Sequence, residues 1–143
     1  MDLIIEKTRD IQASKQVVWN VLTDPNYVRD WLGVDMETDW REGSPILFSF
    51  SWDGKRLTDK GHVLKYTELD TFSYDYWSEL SGTPDSPENY SIIEFQLLKS
   101  HDSTTLILSH RNFPTSTMYE HSDNNWEETL DSIKRLAEKY GVR

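Results

Sequence analysis

Ile11-Gln-Ala-Ser-Lys-Gln-Val-Val-Trp-Asn-Val-Leu-Thr-Asp-Pro25, running on to Trp31, is the stretch on which the fold turns. Ser14 is placed to cap a short helix, because its hydroxyl can accept a hydrogen bond from a backbone N–H of the first turn. Val17, Val18, Val21 and Leu22 then recur at helical spacing and form one apolar face. The β-branched valines lower the intrinsic helix propensity, so this helix depends on burying that face. Asp24-Pro25 starts a second short helix, with Asp as cap and Pro at the first helical position. Tyr27, Val28 and Trp31 form its buried side and Gly33 its stop.

Outward from this unit the texture is that of strands. Residues 2–11, with Leu3-Ile-Ile-Glu-Lys-Thr8, read as a first strand. Beyond residue 34, alternation puts Ile46, Phe48, Phe50 and Trp52 on one face, and Asp53-Gly54 supplies a hairpin turn. Further strands are predicted at Thr58–Glu68, Thr71–Ser78, Tyr90–Lys99 and Thr104–Phe113. Residues 80–89 carry a Gly and two Pro and read as a loop. At the far end, Trp126 is followed at offsets 4, 7, 11 and 14 by Leu130, Ile133, Ala137 and Tyr140, one apolar stripe on a long helix. That helix begins between Ser116 and Asp123, and Gly141 is placed to end it. A strand-rich middle between a short helical unit and a long final helix predicts one α+β domain over 1–143, a curved antiparallel sheet gripping the last helix. Such an arrangement can enclose a cavity.

Composition narrows the function classes. The 143 residues suffice for a hydrophobic core without metal or disulfide support. The absence of cysteine removes disulfides, thiolate zinc ligands and a cysteine nucleophile together. The net charge of −10 opposes binding to nucleic acid or anionic membranes, which are held through clustered Lys and Arg. No apolar run approaches the ~20 residues of a spanning helix, and the first residues lack a signal-peptide core, so a cytoplasmic location without membrane insertion is expected. Six Trp and seven Tyr supply large apolar area with polar handles, suited to a core or to the wall of an apolar pocket.

Several short motifs carry a family likeness. They are Ala13-Ser14 with Val18-Trp19, Leu22-Thr-Asp-Pro25, Trp31, Arg41-Glu-Gly43, Gly61-His-Val-Leu64, Thr105-Leu-Ile-Leu-Ser-His110, and Trp126 with Leu130. In these the chain resembles the activator-of-Hsp90-ATPase-like branch of the START/Bet v 1 (SRPBCC) superfamily, over nearly its whole length. Leu32, Ser44 and Asn125 depart from the residues common there, a second Trp, a second Gly and a Gly respectively. The resemblance implies a helix-grip fold whose space between sheet and C-terminal helix often holds a hydrophobic ligand.

The candidate ligand-binding residues are Phe48, Phe50, Trp52, Tyr74, Tyr76, His110, Trp126 and Ile133. The aromatics are read as cavity wall, in competition with a close-packed core. His110 shares an inward face with Leu106 and Leu108, where an imidazole can hydrogen-bond a ligand or act as a base. No catalytic residue, cofactor or metal site is assigned: His62, His101, His110 and His121 are scattered, and no Gly-x-Ser-x-Gly elbow occurs. The acids that follow Trp126 and Leu130 read as the solvated face of the last helix. Non-catalytic binding of a small hydrophobic or aromatic molecule ranks first. A polyketide-cyclase-like enzyme using His110 with Glu94 ranks second, although Glu94 alternates away from the helix. Interaction with an Hsp90-type chaperone ranks third, because the chain has room for the domain alone. A protein partner is compatible with all three, and the sequence assigns no oligomeric state.

Overall fold

The computed structural model describes residues 3–141. Strand β1 (Ile5–Ile11) leads into helices α1 (Lys15–Thr23) and α2 (Pro25–Leu32). Strands β2 (Asp35–Glu37), β3 (Pro45–Trp52), β4 (Lys55–Thr67), β5 (Thr71–Tyr76), β6 (Ser91–Ser100) and β7 (Ser103–Arg111) follow, and α3 (Ser116–Gly141) closes the chain. The strands make one sheet in the order β1-β7-β6-β5-β4-β3-β2, every neighbouring pair antiparallel. This is the expected α+β helix-grip arrangement. Asp2, the first residue of the predicted opening strand, lies outside the described residues.

The caps act as the sequence predicts. Ser14 Oγ accepts from the Val17 N–H at 3.2 Å, and Asp24 Oδ1 accepts from the Asn26 N–H at 2.9 Å. Gly33 stops α2 in the left-handed region at φ 75°, its N–H donating to the Arg29 carbonyl. Packing overrides the poor propensity of the valines in α1, since Val18, Trp19, Val21 and Leu22 are all buried. The β3–β4 turn, Asp53-Gly54, has both residues at positive φ, as a two-residue type I′ hairpin requires. Gly61 permits a close approach of β4 to β5: a Cβ there would stand 1.7 Å from the Asp75 carbonyl oxygen.

Five expectations are corrected in detail. Strand β2 was not predicted; with three residues it is too short to show a period. The loop at 80–89 contains short 3₁₀ turns, at Glu79–Ser81 and Pro87–Asn89. Tyr140 lies on the α3 stripe but is 39% exposed, its ring resting on Tyr27 at 5.1 Å. Gly141 is the last helical residue, not a left-handed cap; its lack of a side chain lets α3 end 2.8 Å (Cβ to Cβ, were one added) from Ala13. Glu127 and Asp131 are not simply a solvated face. Arg9 pairs with Glu127 at 2.6 Å and with Asp131 at 3.0 Å, and Lys7 pairs with Asp123 at 3.0 Å and with Glu127. This ladder ties one flank of α3 to edge strand β1, while Trp126, Leu130, Ile133 and Ala137 are buried.

Candidate functional site

The space enclosed by α1, α2 and the sheet narrows to a void of about 10 Å³, the size of a single water-sized sphere. Leu22, Val28, Trp31 and Leu32 line it from the helices, and Met36 and Trp40 from the segment that follows. Phe48, Phe72, Tyr74 and Phe95 line it from the sheet. The aromatic rings form a connected set. Trp40 meets Phe72 edge-on at 4.8 Å, Phe72 lies 5.2 Å from Phe95, and Phe48 lies 5.5 Å from Tyr74. The two indole N–H groups of the lining are spent on backbone: Trp31 Nε1 donates to the Val21 carbonyl at 2.7 Å and Trp40 Nε1 to the Thr23 carbonyl at 3.3 Å.

Tyr74 differs. Only 6% of it is exposed and burial alone pushes its pKa above the ordinary phenol value, but no buried side-chain nitrogen or oxygen among the described residues lacks a partner, so this hydroxyl is not an orphaned donor. The raised pKa keeps it a neutral O–H. Two residues along β5, Tyr76 donates its hydroxyl to Asp59 Oδ2. Asp59 stands opposite Phe48 in the β3–β4 register and is buried, and this burial raises its carboxyl pKa. The Glu79 N–H donates to its other oxygen at 3.2 Å. Phe48 touches both tyrosines, with Tyr76 at 5.8 Å.

His110 is engaged on both ring nitrogens. Trp126 Nε1–H donates to Nδ1 at 3.0 Å, which puts the imidazole proton on Nε2, and that N–H reaches Ser91 Oγ at 2.9 Å. Ser91 in turn donates to the Tyr76 carbonyl at 3.5 Å. With 4% exposure, burial pulls the His110 pKa down to about 3, so the ring is neutral. The hydrogen-bonding capacity foreseen for a ligand or for base catalysis is used to dock α3 on the sheet. Glu94 alternates with buried Ile93 and Phe95 and stands between Ser73 and Ser109 on the other face of the sheet, away from His110.

A family model, that of the activator of Hsp90 ATPase homolog 1-like proteins, matches residues 12–138. The chain belongs to this family. Among solved structures, the family member is similar to ChR145 from Cytophaga hutchinsonii, with 32% identity, coverage of 96% of this chain and 95% of that one, and a TM-score of 0.83. It shares its fold with the Aha1 dimer from Colwellia psychrerythraea, at 23% identity, 94% and 96% coverage and a TM-score of 0.74. The fold also recurs in DynU16, a putative protein in the dynemicin biosynthetic locus, at 17% identity and a TM-score of 0.79, over 99% of this chain and 49% of that one. A search of curated proteins gave no match.

In this family member, Phe48 and Tyr74 of the predicted residues line the void, and Tyr76 flanks them. Phe50 is half-buried further along β3, and Trp52, 57% exposed, leaves the core as the hairpin projects past it. Trp126 stands one layer behind, its ring edge-on to Phe95 at 5.8 Å, and Ile133 is fully buried without reaching the void. The lining residues that sequence reasoning missed fall into two kinds. Phe72 has the same strand parity as Tyr74 and was legible from alternation. Trp40 sits in an irregular segment at φ 60°, where no period exists to read. Among the described residues, no helix is long and apolar enough to cross a membrane, and no group of three His, Asp or Glu side chains can hold a metal ion.

Proposed function

We propose that this protein binds one small, flat, apolar or aromatic molecule, without chemical turnover, in the interior around Phe48 and Tyr74. The observation that carries the reading is the lining: a small void walled by hydrocarbon and aromatic side chains and bordered on its outer side by the lightest elements of the fold. These are α2, of eight residues, and edge strand β2, of three. Between them stands Gly33 in the left-handed region, and the segment ends at Trp40, also at positive φ. A ligand enters by displacing this wall, with Trp31 and Trp40 moving while α3 stays docked through Leu130, Ile133 and the His110–Trp126 bond. Phe48 and Tyr74 touch the ligand, Phe50 and Tyr76 border it, and Trp126 senses it through Phe95. Binding pockets of this kind, mostly apolar with few polar groups, suit ligands of that class.

Titration with the neutral probe N-phenyl-1-naphthylamine tests the reading, alongside native mass spectrometry of gently purified protein. Saturable fluorescence enhancement at one probe per chain is expected. Linear, non-saturating enhancement with no bound mass in the native spectrum would reject interior binding.

A further inference from the structure

We infer that the ligand is an aromatic carboxylate, its rings in the interior and its carboxylate at the mouth of the cleft between α2 and α3, beside Arg135 and Lys139. This rests on the interior-binding reading above and assigns the route into that site and the charge of what takes it.

One side chain makes the connection. Trp31 lines the interior void and also lines a surface cleft of about 250 Å³, and it is the only lining residue that cleft and void share. Its half-buried ring is held by the Nε1–H bond to the Val21 carbonyl. Ser132, Arg135, Leu136 and Lys139 recur at helical spacing, so one face of α3 makes the far wall of the cleft. Leu136 and Trp31, both packed against the core, give the cleft its apolar part. The rim is cationic. Arg135 donates to Ser132 Oγ at 3.1 Å, and the Lys139 ammonium lies 5.7 Å from the centre of the Tyr140 ring. Among the described residues, neither has a carboxylate within ion-pair distance. Elsewhere on α3 the nearby cations are spent, Lys134 on Glu138, and Lys7 and Arg9 of β1 on Asp123, Glu127 and Asp131. Asp30 is the one carboxylate of the lining, so the cleft sets two positive charges against one negative in a chain of net charge −10. A ligand carboxylate placed there gains charge-assisted hydrogen bonds from guanidinium and ammonium. It also stays in water, since a charge carried into the apolar void meets no partner. The aromatic part has the opposite preference, the void being walled by rings and hydrocarbon. A cationic head is repelled by the same two side chains, and a neutral one makes little use of them.

Three molecules of one skeleton separate the cases: 2-naphthoate, 2-naphthamide and 2-naphthamidine, whose planar heads are anionic, neutral and cationic. Each is measured by equilibrium dialysis and by displacement of N-phenyl-1-naphthylamine. The proteins are wild type, the cleft variant Arg135→Gln/Lys139→Gln, and a control with the same charge change at two exposed lysines, Lys65→Gln/Lys99→Gln. Wild type and control should hold 2-naphthoate alike, and the cleft variant should hold it about fivefold more weakly at low ionic strength. All three proteins should bind 2-naphthamide equally, and 2-naphthamidine should favour the cleft variant. Raising salt to about 1 M should weaken 2-naphthoate binding by wild type and leave 2-naphthamide little changed. Screening of the net negative charge alone would act in the opposite direction on an anion. Should the cleft variant fail to fold, this salt response of wild type decides, and a salt-insensitive 2-naphthoate affinity overturns the inference. Equal losses in cleft variant and control, no loss in either, or 2-naphthoate that fails to displace the neutral probe overturns it while leaving interior binding intact. Failure of all three molecules and of the neutral probe to bind overturns the interior reading, and this inference with it.

Discussion

His110 is neutral in the folded protein, with Trp126 donating to one nitrogen and Ser91 receiving the proton of the other. Its folded pKa lies at about 3, below the ordinary value of 6.5. The unfolded chain thus binds a proton through a range where the folded chain does not, and stability falls as pH drops from 6.5 toward 3. Between pH 7 and pH 5 the effect amounts to about 2 kcal/mol. Denaturant unfolding at the two pH values should show wild type losing about that much more than His110→Gln; identical losses would mean that the imidazole is not held neutral. Trp126→Phe should cost about 1–3 kcal/mol, because it leaves the His110 Nδ1 lone pair buried without a donor. Sequence alternation placed His110 on the inward face correctly. Its role was not legible, because the partners come from β6 and from α3, 19 residues before it and 16 after, and no local pattern registers that meeting.

At the scale of elements, α3 is held by its apolar stripe more than by its ion pairs. Leu130 is fully buried, and Leu130→Ala should lower stability by about 2–5 kcal/mol. Replacing Glu127, whose carboxylate is solvent-exposed beside Lys7 and Arg9, should cost less, and its effect should fade in 1 M salt while that of Leu130→Ala persists. A salt-insensitive loss at Glu127 equal to that at Leu130 would reverse the ranking. Gly61→Ala should loosen β4 from β5, since the new Cβ meets the Asp75 carbonyl; faster amide exchange confined to those two strands is the expected signature. Periodicity made α1, α2, α3 and most strands legible, because each buries one regular face. It failed at β2, at Trp40 and at the half-exposed Tyr140, where the position of a side chain depends on which element packs across from it.

For the whole molecule, the charge of −10 opposes attraction to a phosphate backbone. A labelled oligonucleotide should show no salt-dependent anisotropy change at physiological ionic strength, and a clear one would refute this expectation. The sheet grips α3, as foreseen, but the residual void lies between the sheet and the α1–α2 pair, because Trp126, Leu130 and Ile133 fill the space beside α3. That shift follows from side-chain volumes and helix docking, which alternation does not encode. The central claim is that this void opens to an apolar ligand by movement of the α2–β2 wall. Methyl-resolved NMR during titration with N-phenyl-1-naphthylamine tests it most directly. The account predicts saturable shifts concentrated on the methyl groups of Leu22, Val28, Leu32 and Met36, with those of Leu130 and Ile133 little changed. Shifts confined to exposed methyls such as Ile4, Leu64 and Leu98, or no saturable shift at all, would contradict it.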